Sequence, residues 1–455
     1  MKRIISSIAI LLSIVSCLKE EMEPVTLSTP SKVTNTSISD VSINDIYGVL
    51  KREHQLTRSS EGADYQITPY LDENQDTLMY IVNFGNDGGW KIYSSDKRTP
   101  AVLAEGDTGR FSIEEGSPAV ALWMRQVAKD MTRIRCSDDS ELTFTEDEIN
   151  SNKAYWTVPL SLVDLPKLPK GHWEETIYSR TVAYDTVQHM TARWDQGEPY
   201  NACCPYVKAP NQRAPAGCVA IAGSQVLLYL HDKLGVPEMM YSEGYCIGDI
   251  NNFEKNFSKP SRDVWAQMDT SYHESSVGIR PEAVMISYIG AKINMHYHEG
   301  YSWALPKNLR TEVFEPYGIS CSHGKYDEEI VKNSLQNQMP IIVTGSDQLI
   351  PVNFKIHSFV IDGYRRTRIE HQHWFHYVVD VPPSKPYPMP EEYVTYTYSS
   401  PEVVSIKINW GWSSQWRKGL NDGWYSLTAG WTVTNGGTYD YNHNLQMIYG
   451  FSVAQ

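Results

Sequence analysis

The sequence predicts an α+β protein in two folded parts, a small mixed unit followed by a larger one in which helices come early and strands late. Three observations carry this. Leu78 to Phe84 and Trp90 to Ser94 flank Asn86-Asp87-Gly88-Gly89, a β-hairpin pattern whose glycines supply positive φ at the turn. Cys218 to Leu234 reads as a helix opened by a glycine, with apolar residues at Val219, Ala222 and Val226. Pro340 to Thr344, His357 to Gly363 and Val403 to Asn409 are short apolar runs that read as strands.

A chain of 455 residues exceeds what one hydrophobic core supports, so two folded parts are expected. With 41% hydrophobic and 21% charged residues the composition is globular, which excludes a disordered or fibrous chain. The formal net charge of -14, with no concentrated basic surface, excludes nucleic acid and anionic membrane as partners.

Lys2-Arg3 precedes an apolar run from Ile4 to Val15, too short to span a bilayer and therefore read as an export segment. The run ends in Ile14-Val15-Ser16-Cys17, similar to the bacterial lipobox in which the thiol is lipidated. The expectation is an exported bacterial protein whose only membrane attachment is a lipid at Cys17, at the outer membrane or cell surface. The alternative is an ordinary signal peptide with an incidental cysteine. Residues 18–40, rich in Ser, Thr and Pro, read as a flexible tether.

Within 41–140, helices over Ile43 to Glu53 and Ala119 to Met131 accompany the hairpin and make a small α+β domain without a catalytic constellation. Residues 141–190 carry Pro159, Pro166, Lys167, Pro169 and Lys170 and read as an exposed, loop-like linker holding a processing site. Residues 191–455 form the larger part. No particular disulfide is expected among Cys136, Cys203, Cys204, Cys246 and Cys321.

The chemistry-bearing residues lie in the larger part. Gly217-Cys218-Val219-Ala220 places a thiol at a helix N-terminus, where unpaired amides and the helix dipole favour the attacking thiolate; a buried structural cysteine is the competing reading. Ile356-His357-Ser358-Phe359 sets a histidine at the mouth of an apolar strand. Asn409-Trp410-Gly411-Trp412 delivers an amide to a strand end, able to take the second imidazole proton beneath an indole shield. Gln196, in Trp194-Asp195-Gln196-Gly197-Glu198-Pro199-Tyr200-Asn201, is a candidate oxyanion donor alongside the Cys218 amide.

These four motifs, in this order, resemble the streptopain family of papain-like cysteine peptidases, and Gly88-Gly89-Trp90-Lys91-Ile92-Tyr93-Ser94 resembles that family's inhibitory prodomain hairpin. The resemblance implies a papain-like fold, a helical subdomain plus an antiparallel β subdomain, preceded by a small α+β prodomain. It implies Cys218 as nucleophile, His357 as general base and acid, Gln196 as oxyanion donor, and Asn409 with Trp410 as the histidine's support. It also implies protein or peptide substrates, with the chain's own prodomain as intramolecular inhibitor. Two departures stand out: Lys355-Ile356 precedes the histidine where the family carries glycine, and 364–402 is a long insertion with Pro382, Pro383, Pro386, Pro388 and Pro390, read as a surface excursion.

His296 with His298 and His371 with His373 are spaced to share strand faces, but no ligand set accompanies them, and neither metal nor cofactor is expected. Two rival functions remain: a Cys-His amidase acting on cell-wall peptides, and a catalytically impaired surface-binding protein on the same fold.

Overall fold

A computed structural model describes residues 39–54, 65–85, 87–113, 118–156, 171–189, 191–207, 212–236, 246–249, 252–254, 268, 280–346, 356–379, 393–399, 402–412, 421–426 and 445–453. The expected export segment, Cys17 and most of the expected tether lie outside these residues, as do Lys355, the proline run at 382–390 and the proline-bearing stretch 157–170.

The N-terminal unit contains α1 (Ile43–His54), β1 (Tyr65–Leu71), β2 (Thr77–Phe84), β3 (Trp90–Ser94), β4 (Val102–Gly106), α2 (Pro118–Cys136) and α3 (Glu146–Trp156). Ser42 starts α1 with reciprocal bonds to Asp45, its own N–H donating to Oδ2 at 2.8 Å while its hydroxyl accepts the Asp45 N–H at 3.2 Å. The four strands form an antiparallel meander. Val120, Trp123, Met124, Val127 and Met131 of α2 bury against it in a 3.6-residue rhythm.

The larger unit runs through β5 (Gly171–Gln188), α4 (Cys218–Leu234), β6 (Cys246–Asp249), β7 (Asn252–Glu254), α5 (Pro281–Lys292), β8 (His296–His298), β9 (Tyr301–Trp303) and β10 (Ile319–Lys325). It continues with α6 (Glu328–Gln336), β11 (Ile341–Ser346), β12 (Ile356–Val379), β13 (Tyr393–Ser399), β14 (Val403–Asn409), β15 (Gly423–Ser426) and β16 (Gln446–Val453). One core lies between α4, α5 and the strands, with Val219, Ile221, Val226, Leu227 and Ile286 fully enclosed. Helices early and antiparallel strands late is the α+β arrangement expected from the sequence.

The two units share one sheet. The strand order β1-β2-β3-β4-β15-β14-β12-β11-β16-β10 runs from the N-terminal meander into the larger unit through β4 and β15, paired at Trp424↔Glu105 and Tyr425↔Ala104. A second apolar cluster crosses this seam, joining Trp90, Trp123 and Met131 to Phe359, Ile361, Trp410 and Tyr425.

The reading of 141–190 as loop-like requires correction. Residues 146–156 are α3, and 171–188 are β5, which pairs with β12 from Gly363↔Gln188 to Val379↔Gly171. The insertion is likewise no mere surface excursion at its near end: β12 runs on to Val379 and pairs with β13. The reason is nonlocal. The strand that orders β5 lies in the distant insertion, so nothing in its own stretch of sequence announces the pairing.

Candidate active site

Gly217 precedes α4 at φ 90° and ψ 130°, a backbone state that L side chains avoid. A Cβ there would lie 2.5 Å from Met295 Cε and 3.3 Å from Ser302 Cβ, so the glycine also admits the residues beside the β8–β9 hairpin. Ser302 in turn donates its hydroxyl to the Pro215 carbonyl at 2.7 Å. The result is a rigid entry to α4 with Cys218 as the first helical residue, only 7% exposed.

Helix-terminal amides were expected to lower the Cys218 pKa. The net shift is upward: burial outweighs the hydrogen bonds from the Ser358 backbone and hydroxyl and from the amides of Val219 and Cys218 itself, all of which pull it down. The thiol therefore sits against β12 at Ser358, the residue that follows His357 in sequence.

His357 is buried, and burial pushes its pKa down to about 4. Its Nε2 lies 2.9 Å from the Trp410 carbonyl oxygen. A carbonyl only accepts, so Nε2 carries the proton and Nδ1 keeps a lone pair, the tautomer a general base needs.

The expected direct bond from the Asn409 amide to the imidazole is replaced by this carbonyl. Asn409 Nδ2 donates to Thr191 Oγ1 at 3.0 Å and to the Ala192 carbonyl at 2.9 Å, while its Oδ1 accepts the Gly411 N–H at 3.0 Å. Trp410 also serves differently from the expected shield. Its carbonyl holds the histidine, while its indole Nε1 donates to Tyr425 Oη at 2.9 Å and to the Asn421 carbonyl at 3.0 Å. The indole near the imidazole is Trp412, edge-on at 6.3 Å.

Gln196 is buried upstream of the helix, and its carbonyl accepts the Ala216 N–H at 2.8 Å, which ties its loop to the residues before Cys218. Asn201 Nδ2 fastens the same loop to the Ala214 carbonyl at 3.1 Å. The structure brings His357 to the Trp410 carbonyl, next to Asn409 at the end of β14, and sets Cys218 against Ser358 of β12. Ser358, Thr191 and Tyr425 were not legible as site residues, since hydroxyls at unremarkable spacings carry no pattern.

The histidine pairs take other roles. His296 stacks on Trp303 and His298 on Tyr301, while His371 meets Ser179 and His373 meets Glu175. Among the described residues no group of three or more His, Cys, Asp or Glu is placed to hold a metal.

Residues 194–425 match the peptidase C10 family. The chain belongs to that family. Residues 48–131 match the Spi protease inhibitor family, so a peptidase domain follows an inhibitor domain. Among curated relatives, the thiol protease/hemagglutinin PrtT of Porphyromonas gingivalis is 23% identical over 71% of this chain, which spans 35% of PrtT's length. Streptopain of Streptococcus pyogenes is 22% identical over 70% of this chain and 76% of its own. Among solved structures, a fragment of Prevotella intermedia prointerpain A aligns with a TM-score of 0.47 at 17% identity, covering 85% of this chain and 99% of that one. Active interpain A aligns at 0.37 with 20% identity, covering 58% and 96%.

Proposed function

We propose that the chain is the latent precursor of an exported, lipid-anchored cysteine endopeptidase, with Cys218 as nucleophile and His357 as general base and acid. The observations that support the reading are a cysteine at the start of α4 set against Ser358 of β12, and the preceding histidine with its tautomer fixed by the Trp410 carbonyl, in a member of the peptidase C10 family. His357 Nδ1 takes the thiol proton and Cys218 Sγ attacks a peptide carbonyl. The developing oxyanion is met by the Cys218 amide and the Gln196 side chain. The imidazolium then protonates the leaving amine, and a water activated by His357 hydrolyses the thioester, returning thiol and acid.

Latency is the work of the N-terminal unit. Its strand β4 extends the catalytic sheet at β15, and Trp123 packs edge-on to Tyr425 at 4.9 Å. Glu105 forms an ion pair with Arg365 across the seam, and Asn421 exchanges two hydrogen bonds of 3.1 Å with the Ser112 backbone. The raised Cys218 pKa and lowered His357 pKa favour the neutral pair, an unreactive ground state. Export and anchoring rest on Lys2-Arg3, the apolar run and Ser16-Cys17.

The test is incubation of protein lacking residues 1–17 with casein and an iodoacetamide probe, beside Cys218→Ala. Casein cleavage appearing as an N-terminal fragment departs, with label confined to Cys218, supports the reading. Indiscriminate label and no cleavage after limited proteolysis would move the assignment to a binding protein.

A further inference from the structure

Behind the histidine runs a chain of hydrogen bonds that ends on a buried carboxylate. Asp362 is the extra residue of a β-bulge: β12 pairs with β14 at Val360↔Asn409 and Ile361↔Ile408, then resumes at Gly363↔Lys407, which skips Asp362. Bulges re-aim side chains, and Asp362 Oδ2 accepts the Thr191 hydroxyl at 2.6 Å. Thr191 Oγ1 in turn accepts Asn409 Nδ2–H at 3.0 Å. Asn409 Oδ1 accepts the N–H of Gly411. That N–H belongs to the same peptide group as the Trp410 carbonyl, which accepts His357 Nε2–H at 2.9 Å.

Every link has its polarity fixed. The Ala192 carbonyl, 2.9 Å from Asn409 Nδ2, accepts only, so the amide cannot be flipped; the Gly411 N–H donates only, so Oδ1 must face it. The Thr191 hydroxyl, already accepting from Asn409, gives its proton to Asp362. All bonds therefore point the same way, from imidazole to carboxylate, and each polarises the next.

A stability role alone explains this poorly. Asp362 is 2% exposed, and its Oδ1 has no hydrogen-bond partner among the described residues. A carboxylate buried with one oxygen unsatisfied is destabilising, so a neutral residue would serve packing better. Asp362, Thr191 and Asn409 line one small cavity with Arg193, Lys407 and Asp422, so cations face the carboxylate from β14 and from the strand-side loop before α4.

We propose that Asp362 and Thr191 are positioning residues for His357, holding the Trp410–Gly411 peptide through Asn409 and lending the imidazolium a remote negative charge. This rests on the Cys218–His357 reading above.

The test uses the full chain, allowed to process itself, with active sites counted by an irreversible thiol reagent. Thr191→Val keeps the side-chain shape and removes both of its bonds, Thr191→Ser keeps them, and Asp362→Asn removes the charge. Thr191→Val and Asp362→Asn are expected to lower kcat per active site by about tenfold with KM nearly unchanged, the scale seen when a bond that orients a functional histidine is lost. The alkaline limb of the kcat/KM pH profile moves down by about half a unit, because an imidazolium that loses its remote anion gives up its proton sooner. Thr191→Ser stays at the parent value.

An unchanged kcat and alkaline limb in folded Thr191→Val overturns the proposal, whether or not Asp362→Asn folds. So does an equal kcat loss in Thr191→Ser without a limb shift, which marks packing alone. Casein cleavage surviving in His357→Ala would instead sink the underlying reading of the pair.

Discussion

Substituting Gly423 by alanine separates the seam between the two units from the chemistry. A Cβ at Gly423 would stand 2.5 Å from the Glu105 carbonyl oxygen and 2.8 Å from Trp90 Cζ2, both on the N-terminal unit. The Glu105 carbonyl is backbone of β4, which is paired to β3 on one side and β15 on the other, so it cannot swing aside as a side-chain tip would. Forcing a methyl into a packed contact typically costs about 1–3 kcal/mol, and this one meets backbone on one side and a buried indole on the other, so about 2 kcal/mol is expected. That is roughly a thirtyfold weaker association of the two units. The assay is inhibition of the processed enzyme by the released N-terminal part, titrated against casein cleavage for the parent and Gly423→Ala. Turnover without the inhibitor should be unchanged, because the nearest atoms to the new methyl leave with the N-terminal unit. An inhibition constant within twofold of the parent would refute the shared-sheet account of latency.

Four further outcomes follow from the structure. Glu105→Gln leaves Arg365 without its carboxylate and weakens the seam by about a hundredfold, since opening a buried pair costs about 3–5 kcal/mol, discounted for a partly wet rim. Lys91 and Arg365 together overcome burial and hold the Glu105 carboxyl below its ordinary value. Its contribution is therefore complete above about pH 5 and is lost as pH falls through the depressed value, so inhibition measured from pH 7 to 3 should be flat and then decline. Buried His357 and His371 both have pKa values near 4 against 6.5 when exposed, so the unfolded chain binds more protons between those values. The uncut Cys218→Ala protein should lose about 3 kcal/mol per histidine on going from pH 7 to 4, seen as a falling urea midpoint, and His371→Gln should remove about half of that. Gly217→Ala combines a strained backbone costing about 1–3 kcal/mol with the Met295 contact; Met295→Ala in the same chain should restore part of the stability but not the Cys218 labelling rate.

Much of the site was legible because its residues announce themselves locally. Gly217-Cys218 with the apolar residues that follow specifies a helix and its first residue at once, and α4 spans Cys218–Leu234 as expected. Strand β14 ends at Asn409 as the alternation implied. What escaped was anything set by a partner far along the chain. Strand β5 is ordered by 363–379, and the bond to His357 comes from a main-chain carbonyl, which every residue possesses and no sequence distinguishes.

The sequence by itself determined the two-part α+β plan, the place of Cys218 on its helix, the place of His357 on its strand and the family to which the chain belongs, because each depends on local spacing and residue type. Only the tertiary structure decided which atom holds the imidazole, that Asp362 bulges out of its ladder toward Thr191, and that the inhibitor unit joins the catalytic sheet through β4 and β15. Those are matters of register and burial. A hydrogen bond of given strength forms wherever two strands align, and a one-residue slip leaves the sequence pattern intact while turning every side chain to the opposite face.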